Sequence, residues 1–562
     1  MVQTLWLIRD PSEKEQVSSY QLYSPLFLQL LAQRGLKSSE EIEDFLSPSR
    51  EKLANPFLMK GMKEAVARIE KARSQGEKVL VHGDYDVDGV TGSAIVSLAL
   101  DKLGVVHETF LPERNRDGYG VSEAAIKKAG QEGVRLLITV DCGISAREEI
   151  EKARLRGIDA IVLDHHQLPS EGLPPACAIL NPLQEDCNYP FKELSAGGLA
   201  FKLAEALLGT EAFEYFDLAT LSTVADMAPL KGENRSIVTE GLEQLSRRKR
   251  IGIKALSQTA KIRSPEIKTS HVGFMLGPRI NASGRMSSAL TALRLLLTPN
   301  EREALSLAEI LEVENRKRRE EERKVANEAV CQVERTINFS RDRVIVVAQE
   351  GWHAGVIGIV AARLVERYHR PALVIALQGG LGKGSGRSIR SFHLFNALEA
   401  SRECLIEFGG HEQAAGFNIL AEQIPALKKK LNEYSESNYP ADIFLKSIDI
   451  DMEINLSDLT PPFLKELEML EPFGIGNPKP VFLTKSLSVK NVLRRARRNY
   501  SKPHVWVTDG CLTYEMTIGE RVDTPLDFEP GSRLDLVYCV ARKTWEGEER
   551  IILEARDAKA PS

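Results

Sequence analysis

Among 562 residues there are only seven cysteines and no C-x-x-C pair. Cys142, Cys177, Cys187, Cys331, Cys404, Cys511 and Cys539 stand singly, which speaks against a zinc ribbon or a disulfide framework and suits a reducing, cytoplasmic compartment. No apolar run approaches the ~18 residues of a membrane span. The opening MVQTLWLIRD lacks the basic start and long apolar stretch of a signal peptide. Nor is one sign of charge in excess: 74 Lys+Arg against 79 Asp+Glu leave a net charge of -5. Mean charge therefore decides nothing about nucleic acid, and only local clusters can. What remains is a globular composition, 43% hydrophobic and 27% charged, in a chain long enough for about four domains.

The pattern along the chain gives the organisation. Residues 1–60 read as a lead-in with short helices at Leu26–Leu31 and Ser38–Phe45, expected to pack on the first domain through Trp6, Leu7 and Phe27. In residues 61–240, the continuous apolar runs KVLV, LLITV and AIVL alternate with helical stretches at Gly92–Leu103, Ser122–Ala129 and Ala146–Arg156. Strands without polar alternation, separated by helices, indicate a parallel sheet covered on both faces. Residues 241–338 are mainly helical and end in a long charged helix, Asn300–Ile337, suited to bridging two domains. Residues 339–435 alternate again, as a smaller α/β domain, and residues 440–562 carry short β-type runs that read as a small barrel or sandwich.

The carboxylates sit where those parallel strands end. KVLVHG runs into Asp84, Asp86 and Asp88; LLITV ends in Asp141; AIVL ends in Asp164, His165 and His166. Ligands bind beyond the carboxyl ends of strands in open α/β sheets, so these side chains should share one crevice. Taken singly, each has an ordinary explanation: D-x-D-x-D-G as a turn, Asp141 as a helix N-cap, the Asp-His-His as a cap with satisfied histidines. Together, the carboxylates would repel one another unless a cation lay among them. Asp with His suits Mn²⁺, with Mg²⁺ as the alternative. The distal Glu of an EF-hand is missing.

HGDYDVDG, VDCG, DHH and STVADMAPL, in this order, resemble the motifs of the DHH phosphoesterases. LGPRINASGRM, GWHAGVIGIVAARL, GKGSGRSI and FGGHEQAAGF are similar to the branch of that family that acts as single-strand-specific 5′→3′ exonucleases. The resemblance covers roughly residues 60–435 and implies two α/β domains joined by a long helix, plus an OB-like C-terminal barrel. It implies that Asp86 and Asp141, with His82, hold one metal ion, and that Asp88, Asp141, His165 and Asp226 hold a second. Asp141 bridges the two, and Asp84 lies outside them. Asp226 comes from the resemblance alone, since TVADMAPL otherwise reads as a helix end. Two ions about 3.5–4 Å apart would activate water and neutralise the scissile phosphate. His166 would position or protonate a phosphate oxygen, or else orient His165. The products would be 5′-mononucleotides.

End recognition falls to basic and Gly-rich motifs. Arg279, Asn281 and Arg285 form a compact cluster. Ser385 and Arg387 lie in what reads as a Gly-rich, phosphate-holding loop, His411 in a second Gly-rich motif and Arg114 in LPERNRDGYG. Lys490, Arg494, Arg495, Arg497, Arg498 and Lys502, with Tyr500 and Trp506, have the charge and aromatics of a single-strand-binding barrel. The expected partner is single-stranded DNA with a 5′ end. A helicase and a single-strand-binding protein would supply it, in repair and recombination, to a chain that need not oligomerise. Two other readings differ in substrate or activity: a phosphoesterase of short oligonucleotides or cyclic dinucleotides, and a non-catalytic DNA-binding scaffold. The basic β-rich tail and the GPRINASGR segment favour a polymer over the first, and the filled ligand positions disfavour the second.

Overall fold

The structure is a computed structural model, and it describes residues 4–9, 22–113, 120–493, 504–518, 528–545 and 548–561. The chain divides into two units, one of residues 49–446 and one combining residues up to 48 with those from 447 onward. All seven cysteines are free. No helix among the described residues is long and apolar enough to cross a membrane.

The larger unit begins with a five-stranded sheet: β1 (Lys78–Gly83), β2 (His107–Phe110), β3 (Val134–Val140), β4 (Asp159–Leu163) and β5 (Ala178–Leu180). Its order is β2-β1-β3-β4-β5 and every pairing is parallel. This is a doubly wound order, with its topological switch between β1 and β3. Val79 and Val81 face one apolar cluster while Leu80 faces another, which is why these strands read as unbroken apolar runs. β2 and β5 escaped the sequence reading because HETF and AIL are too short or too polar to stand out.

Helix α1 (Val87–Leu103) follows β1 and is buried along most of its length. It packs against α2 (Ala196–Leu208) and α3 (Phe216–Ala225), and α4 (Gly232–Arg247), α5 (Ile251–Thr259) and α6 (Gly277–Met286) complete the helical side. The charged helix α7 (Glu301–Thr336) runs for 36 residues. Its first half gives Ala304, Leu307, Ala308 and Leu311 to the core beneath the parallel sheet. Its second half gives Val325, Ala326, Ala329 and Val333 to the next domain. One helix thus belongs to two cores.

That next domain is a mixed sheet of β6 (Ile345–Glu350), β7 (Ala372–Gln378), β8 (Leu381–Arg387), β9 (Glu407–Gly410) and β10 (Ala414–Leu420), ordered β9-β10-β8-β7-β6. Here the structure corrects the expected Gly-rich loop. GKGSGR is β8, paired on both sides with β7 and β10, so its backbone N–H groups serve the ladder and do not cradle phosphate. The alternating glycines leave space for apolar neighbours. A Cβ on Gly384 would fall on the Phe417 ring, and one on Gly386 would lie 2.8 Å from Leu394. The opposite face carries Lys383, Ser385 and Arg387. Helix α8 (Ile357–Tyr368) packs against this strand.

The second unit is a barrel of β11 (Phe482–Leu493), β12 (His504–Thr508), β13 (Thr513–Ile518), β14 (Arg533–Trp545) and β15 (Glu548–Lys559). Pairing of β11 with β14 closes the ring, and β13 and β15 pair in parallel. Five strands closed in this way match an OB-type barrel. The lead-in differs from expectation. Trp6 packs with Ile450, Leu483 and Val537, and Phe27, Leu30 and Leu31 share a core with Phe463 and Phe482. Strand Leu5–Ile8 pairs with Ser447–Ile450. Residues up to 48 therefore belong to the C-terminal unit, because their apolar side chains meet an open edge and core there.

A testable consequence concerns β8. Gly→Ala in a strand ordinarily stabilises by about 0.5–1 kcal/mol. At Gly384 the clash with Phe417 reverses the sign, and Gly384→Ala should destabilise by about 1–3 kcal/mol, read as a lower midpoint in thermal or urea unfolding.

Candidate metal centre

The switch point between β1 and β3 gathers the carboxylates. Beyond β1 the chain turns through Asp84 and Tyr85 into α1, with Asp86 as its N-cap. Asp86 Oδ1 accepts from the backbone N–H groups of Asp88 (2.9 Å) and Gly89 (3.1 Å). Gly89 lets the helix start lie against the turn: a Cβ there would be 2.5 Å from the Asp84 nitrogen. Asp88 points back to the amino end of α2, accepting from Ala196 N (2.9 Å), Gly197 N (2.8 Å) and the Ser222 hydroxyl. The positive end of α2 thereby steadies its charge. Asp141 follows β3 with a left-handed backbone (φ 63°), a conformation Asp tolerates better than most residues and one that recurs at functional sites.

His165 joins these groups, with Nε2 3.4 Å from Asp141, 3.6 Å from Asp88 and 3.8 Å from Asp226. Three trios bring a ligand atom from each member within 4.8 Å of the others: Asp84–Asp86–Asp141, Asp88–His165–Asp226 and Asp141–His165–His166. Asp141 is common to two of them. His82 enters none of the three among the described residues. Its ring is fully buried, with Nδ1 3.7 Å from Cys142 Sγ and the Phe110 ring at 5.2 Å. Asp84, expected outside the ligands, stands in the first trio. The sequence signal was present: three Asp at i, i+2 and i+4 in DYDVDG.

Electrostatics tests whether a cation fits. Burial, then the neighbouring Asp88, raises the Asp86 carboxyl above its ordinary range. Burial, then Asp88, Asp86, Asp84 and Asp226, raises Asp141 much further. Asp226 is pushed up to about 8 by burial and by Asp88 and Asp86. Acidic groups this costly to ionise, with an imidazole among them, make a donor set of oxygen plus nitrogen that fits Mn²⁺ or Mg²⁺.

His166 is held separately. Its Nδ1 donates to Asp164 Oδ1 at 2.7 Å, and Asp164 Oδ2 accepts from Ile144 N at 2.9 Å. Burial opposes a charged ring, but the Asp164 hydrogen bond and charge outweigh it and raise His166 to about 9. Asp164 shifts oppositely: burial would raise it, yet the His166 contact brings it below its ordinary value. Its orienting role was not assigned from sequence, and neither was the Ser222 bond to Asp88.

Two of the GPRINASGR residues, Asn281 and Gly284, lie against the metal loop. Asn281 Oδ1 accepts from Val87 N (3.0 Å), satisfying an unpaired donor of the first turn of α1. A Cβ on Gly284 would fall on the Tyr85 carbonyl, so α6 lies directly on this turn. Arg279 is buried, giving Nε to Glu312 (2.7 Å) on α7 and Nη1 to Met275 O (2.7 Å) in the turn before α6. Arg285 reaches across to the Gly355 carbonyl (3.2 Å) in the second α/β domain. There Gly358 lies beneath Ser385 and Arg387: a Cβ would be 3.0 Å from Ser385 Oγ and 3.1 Å from Arg387 Nη2. Arg387 Nη1 bonds Ser385 Oγ (3.2 Å) and Gly386 O (2.8 Å). A chain of contacts thus leads from Tyr85 through α6 to β8. His411 is exposed at the hairpin between β9 and β10. In the barrel, Trp506 on β12 stacks at 6.4 Å on His504, and Lys490 lies on neighbouring β11. Arg114, Arg494, Arg495, Arg497, Arg498, Tyr500 and Lys502 lie outside the described residues.

Comparison with known proteins follows the same division. Residues 78–226 match the DHH family, N-terminal domain; residues 341–437 match the DHHA1 domain; residues 450–557 match the RecJ OB domain. The single-stranded-DNA-specific exonuclease RecJ of Bacillus subtilis is 38% identical over 557 residues, spanning 98% of this chain and 70% of the relative. That of Escherichia coli is 35% identical over 82% of this chain and 83% of its own. The crystal structure of RecJ from Thermus thermophilus in complex with Mn²⁺ superposes with a TM-score of 0.82 at 28% identity, over 100% of this chain and 80% of that one.

Protons should compete with metal here. Asp226 has a folded value near 8 against about 3.9 unfolded, so its contribution to stability falls as pH rises between those values. His166, near 9 against about 6.5 unfolded, contributes below the lower value and loses its contribution toward the higher. Both have the same sign. Metal-free protein should therefore lose melting temperature from pH 5 to 9. Mn²⁺ should restore more of it at the alkaline end, with proton release visible by calorimetry in buffers of different ionisation enthalpy.

Proposed function

Because the chain belongs to the RecJ family of single-stranded-DNA-specific exonucleases, we propose that its two carboxylate groups act as paired metal sites that remove 5′-mononucleotides from the 5′ end of a single strand. It is a metal-dependent exonuclease of single-stranded DNA; polarity, ion number and products are the finer reading. Asp84, Asp86 and Asp141 would hold one ion, and Asp88, His165 and Asp226, with Asp141 again, the other. The observation that carries this is Asp141, which groups with Asp84 and Asp86 and also lies 3.4 Å from Nε2 of His165, a member of the Asp88–Asp226 trio. Bound divalent ions supply an activated nucleophile and neutralise charge on the attacking and leaving oxygens of a phosphodiester.

The chain's own residues do the rest. Asp88 is fixed by the amino end of α2 and Ser222, so it can spare its outer lone pairs. Asp164 fixes His166 through Nδ1, leaving Nε2 to give a proton or hydrogen bond to a phosphate oxygen. Asn281 keeps the Asp86–Asp88 turn at the mouth of α1. Ser385 and Arg387, with Arg285 and His411, would bind the 5′-phosphate by side chain alone, since the ladder uses the β8 backbone. The barrel, with Trp506 and Lys490, would hold the strand beyond, through stacking and phosphate contacts. Unwinding and coating proteins would present such strands during repair and recombination.

The test is digestion, with Mn²⁺, of a single strand labelled at either end, beside a blunt duplex. Mononucleotides should leave from the 5′ end of the single strand alone. Asp141→Ala should fall to background. Asp164→Asn should slow turnover by about 10–100-fold while Mn²⁺ still binds. Release from the 3′ end, equal attack on the duplex, or an active Asp141→Ala would each refute the reading.

A further inference from the structure

One stretch of the sequence remains without a role. From Gln244 to Pro265 there is no acidic residue, but there are seven basic ones: Arg247, Arg248, Lys249, Arg250, Lys254, Lys261 and Arg263. The stretch forms the end of α4, all of α5 and the loop after it. Ile262 N bonds Ser257 O at 3.0 Å, folding that loop back along α5. Between these pieces lies a cavity of about 350 Å³ lined by Arg247, Arg248, Lys254, Ser257, Gln258 and Ile262. None of these residues takes part in the metal centre or in the Ser385–Arg387 face.

Two features mark the cavity as built for an anion. Ser257 is 1% exposed, yet its hydroxyl has no hydrogen-bond partner among the described residues. Such groups are rare in native interiors and call for an explanation. Arg248 Nε is likewise buried and unpartnered, although Nη2 of the same guanidinium donates to Ser264 O at 2.5 Å. No carboxylate of a described residue lies within ion-pair distance of Arg248. Neighbouring acids answer three of the other six cations: Asp217 takes Arg250 at 2.7 Å, Glu243 takes Arg247, and Glu301 takes Lys254 at 2.9 Å. The last two pairs are exposed and therefore weak, so a ligand can compete for both cations. The field reaches further: burial, then Lys268 and Arg248, lowers the imidazole of His271.

We propose that this cavity is a phosphate-binding site for a nucleotide-sized anion, separate from the metal centre. Arg248 would supply a guanidinium fork with Nε as one prong, the arrangement that suits phosphate oxygens. The Ser257 hydroxyl would add a buried donor, and Lys254 and Arg247 would close the rim. Ile262 gives one apolar wall, against which a sugar or base can lie. The volume falls at the small end of ligand pockets, enough for a mononucleotide but not for a folded partner. The phosphate could come from a free mononucleotide or from the backbone of a strand.

The experiment uses the full chain without metal, carrying Arg387→Ala so that the other phosphate candidate is silent. Calorimetric titration with dAMP and with inorganic phosphate should give saturable binding. Arg248→Gln and Lys254→Gln should each weaken it by about tenfold or more. Because Lys254 is half exposed, its variant should fold even if loss of the Arg248 anchor to Ser264 does not allow the first to. With Arg387 restored and Mn²⁺ present, Lys254→Gln should digest short single strands within about twofold of the parent rate, well below the tenfold effect of losing a charged hydrogen bond. A circular single strand, which has no 5′ end, separates the sources: displacement of dAMP assigns the site to backbone phosphate, and no displacement assigns it to the free nucleotide. Failure of the parent to bind either anion at millimolar concentration would overturn the proposal. So would unchanged affinity in both variants, or binding of an acidic peptide in place of both anions.

Discussion

Mutual repulsion among buried carboxylates is the constraint on which the rest of this structure turns. Asp84, Asp86, Asp88, Asp141 and Asp226 converge where water is largely excluded, and burial with neighbouring charge pushes Asp86, Asp141 and Asp226 toward protonation. No arrangement of protein groups alone relieves that cost. The surroundings instead fix the carboxylates in place: the amino end of α2 holds Asp88, the first turn of α1 holds Asp86, and a left-handed residue places Asp141 between the trios. The fold keeps these acids together in a geometry that a divalent cation completes.

Topology makes the convergence possible. In the order β2-β1-β3-β4-β5 the chain reverses its direction of winding between β1 and β3, so the segments leaving these strands separate and open a crevice. β4, beside β3, delivers Asp164, His165 and His166 to the same edge. Helix α6 then closes over the turn after β1, and α7 ties α6, through Arg279 and Glu312, to the core of the second α/β domain. A single helix carrying residues of both cores is an economical way to hold the β8 face near the metal loop, because its backbone hydrogen bonds are satisfied along its own length.

Much of this was legible in the sequence where pattern and chemistry coincide. KVLV, LLITV and AIVL are strands because burial on both faces demands unbroken apolar runs, and the acids that follow them stand out by contrast. The β8 strand was not legible, since GKGSGR has the composition of a loop and only the Phe417 ring across the sheet explains its glycines. That Asp84 joins a trio of possible ligands was equally hidden. Which residues around Gly83 face the crevice depends on where the strand ends, and a run of letters does not record that. Arg279 and Asn281 were recognised as a site but not for their work, because their partners Glu312 and Val87 are distant in sequence. The lead-in was misassigned because apolar residues such as Trp6 and Phe27 do not record which core they join.

The account stands most directly on Asp141 being shared between two ions. Counting bound Mn²⁺ per chain, with electron paramagnetic resonance to detect exchange coupling between ions, tests this without relying on turnover. The expected result is two ions per chain with a coupled signal, and loss of the coupling in Asp141→Asn. A single uncoupled ion, or a coupled pair that survives Asp141→Asn, would contradict it.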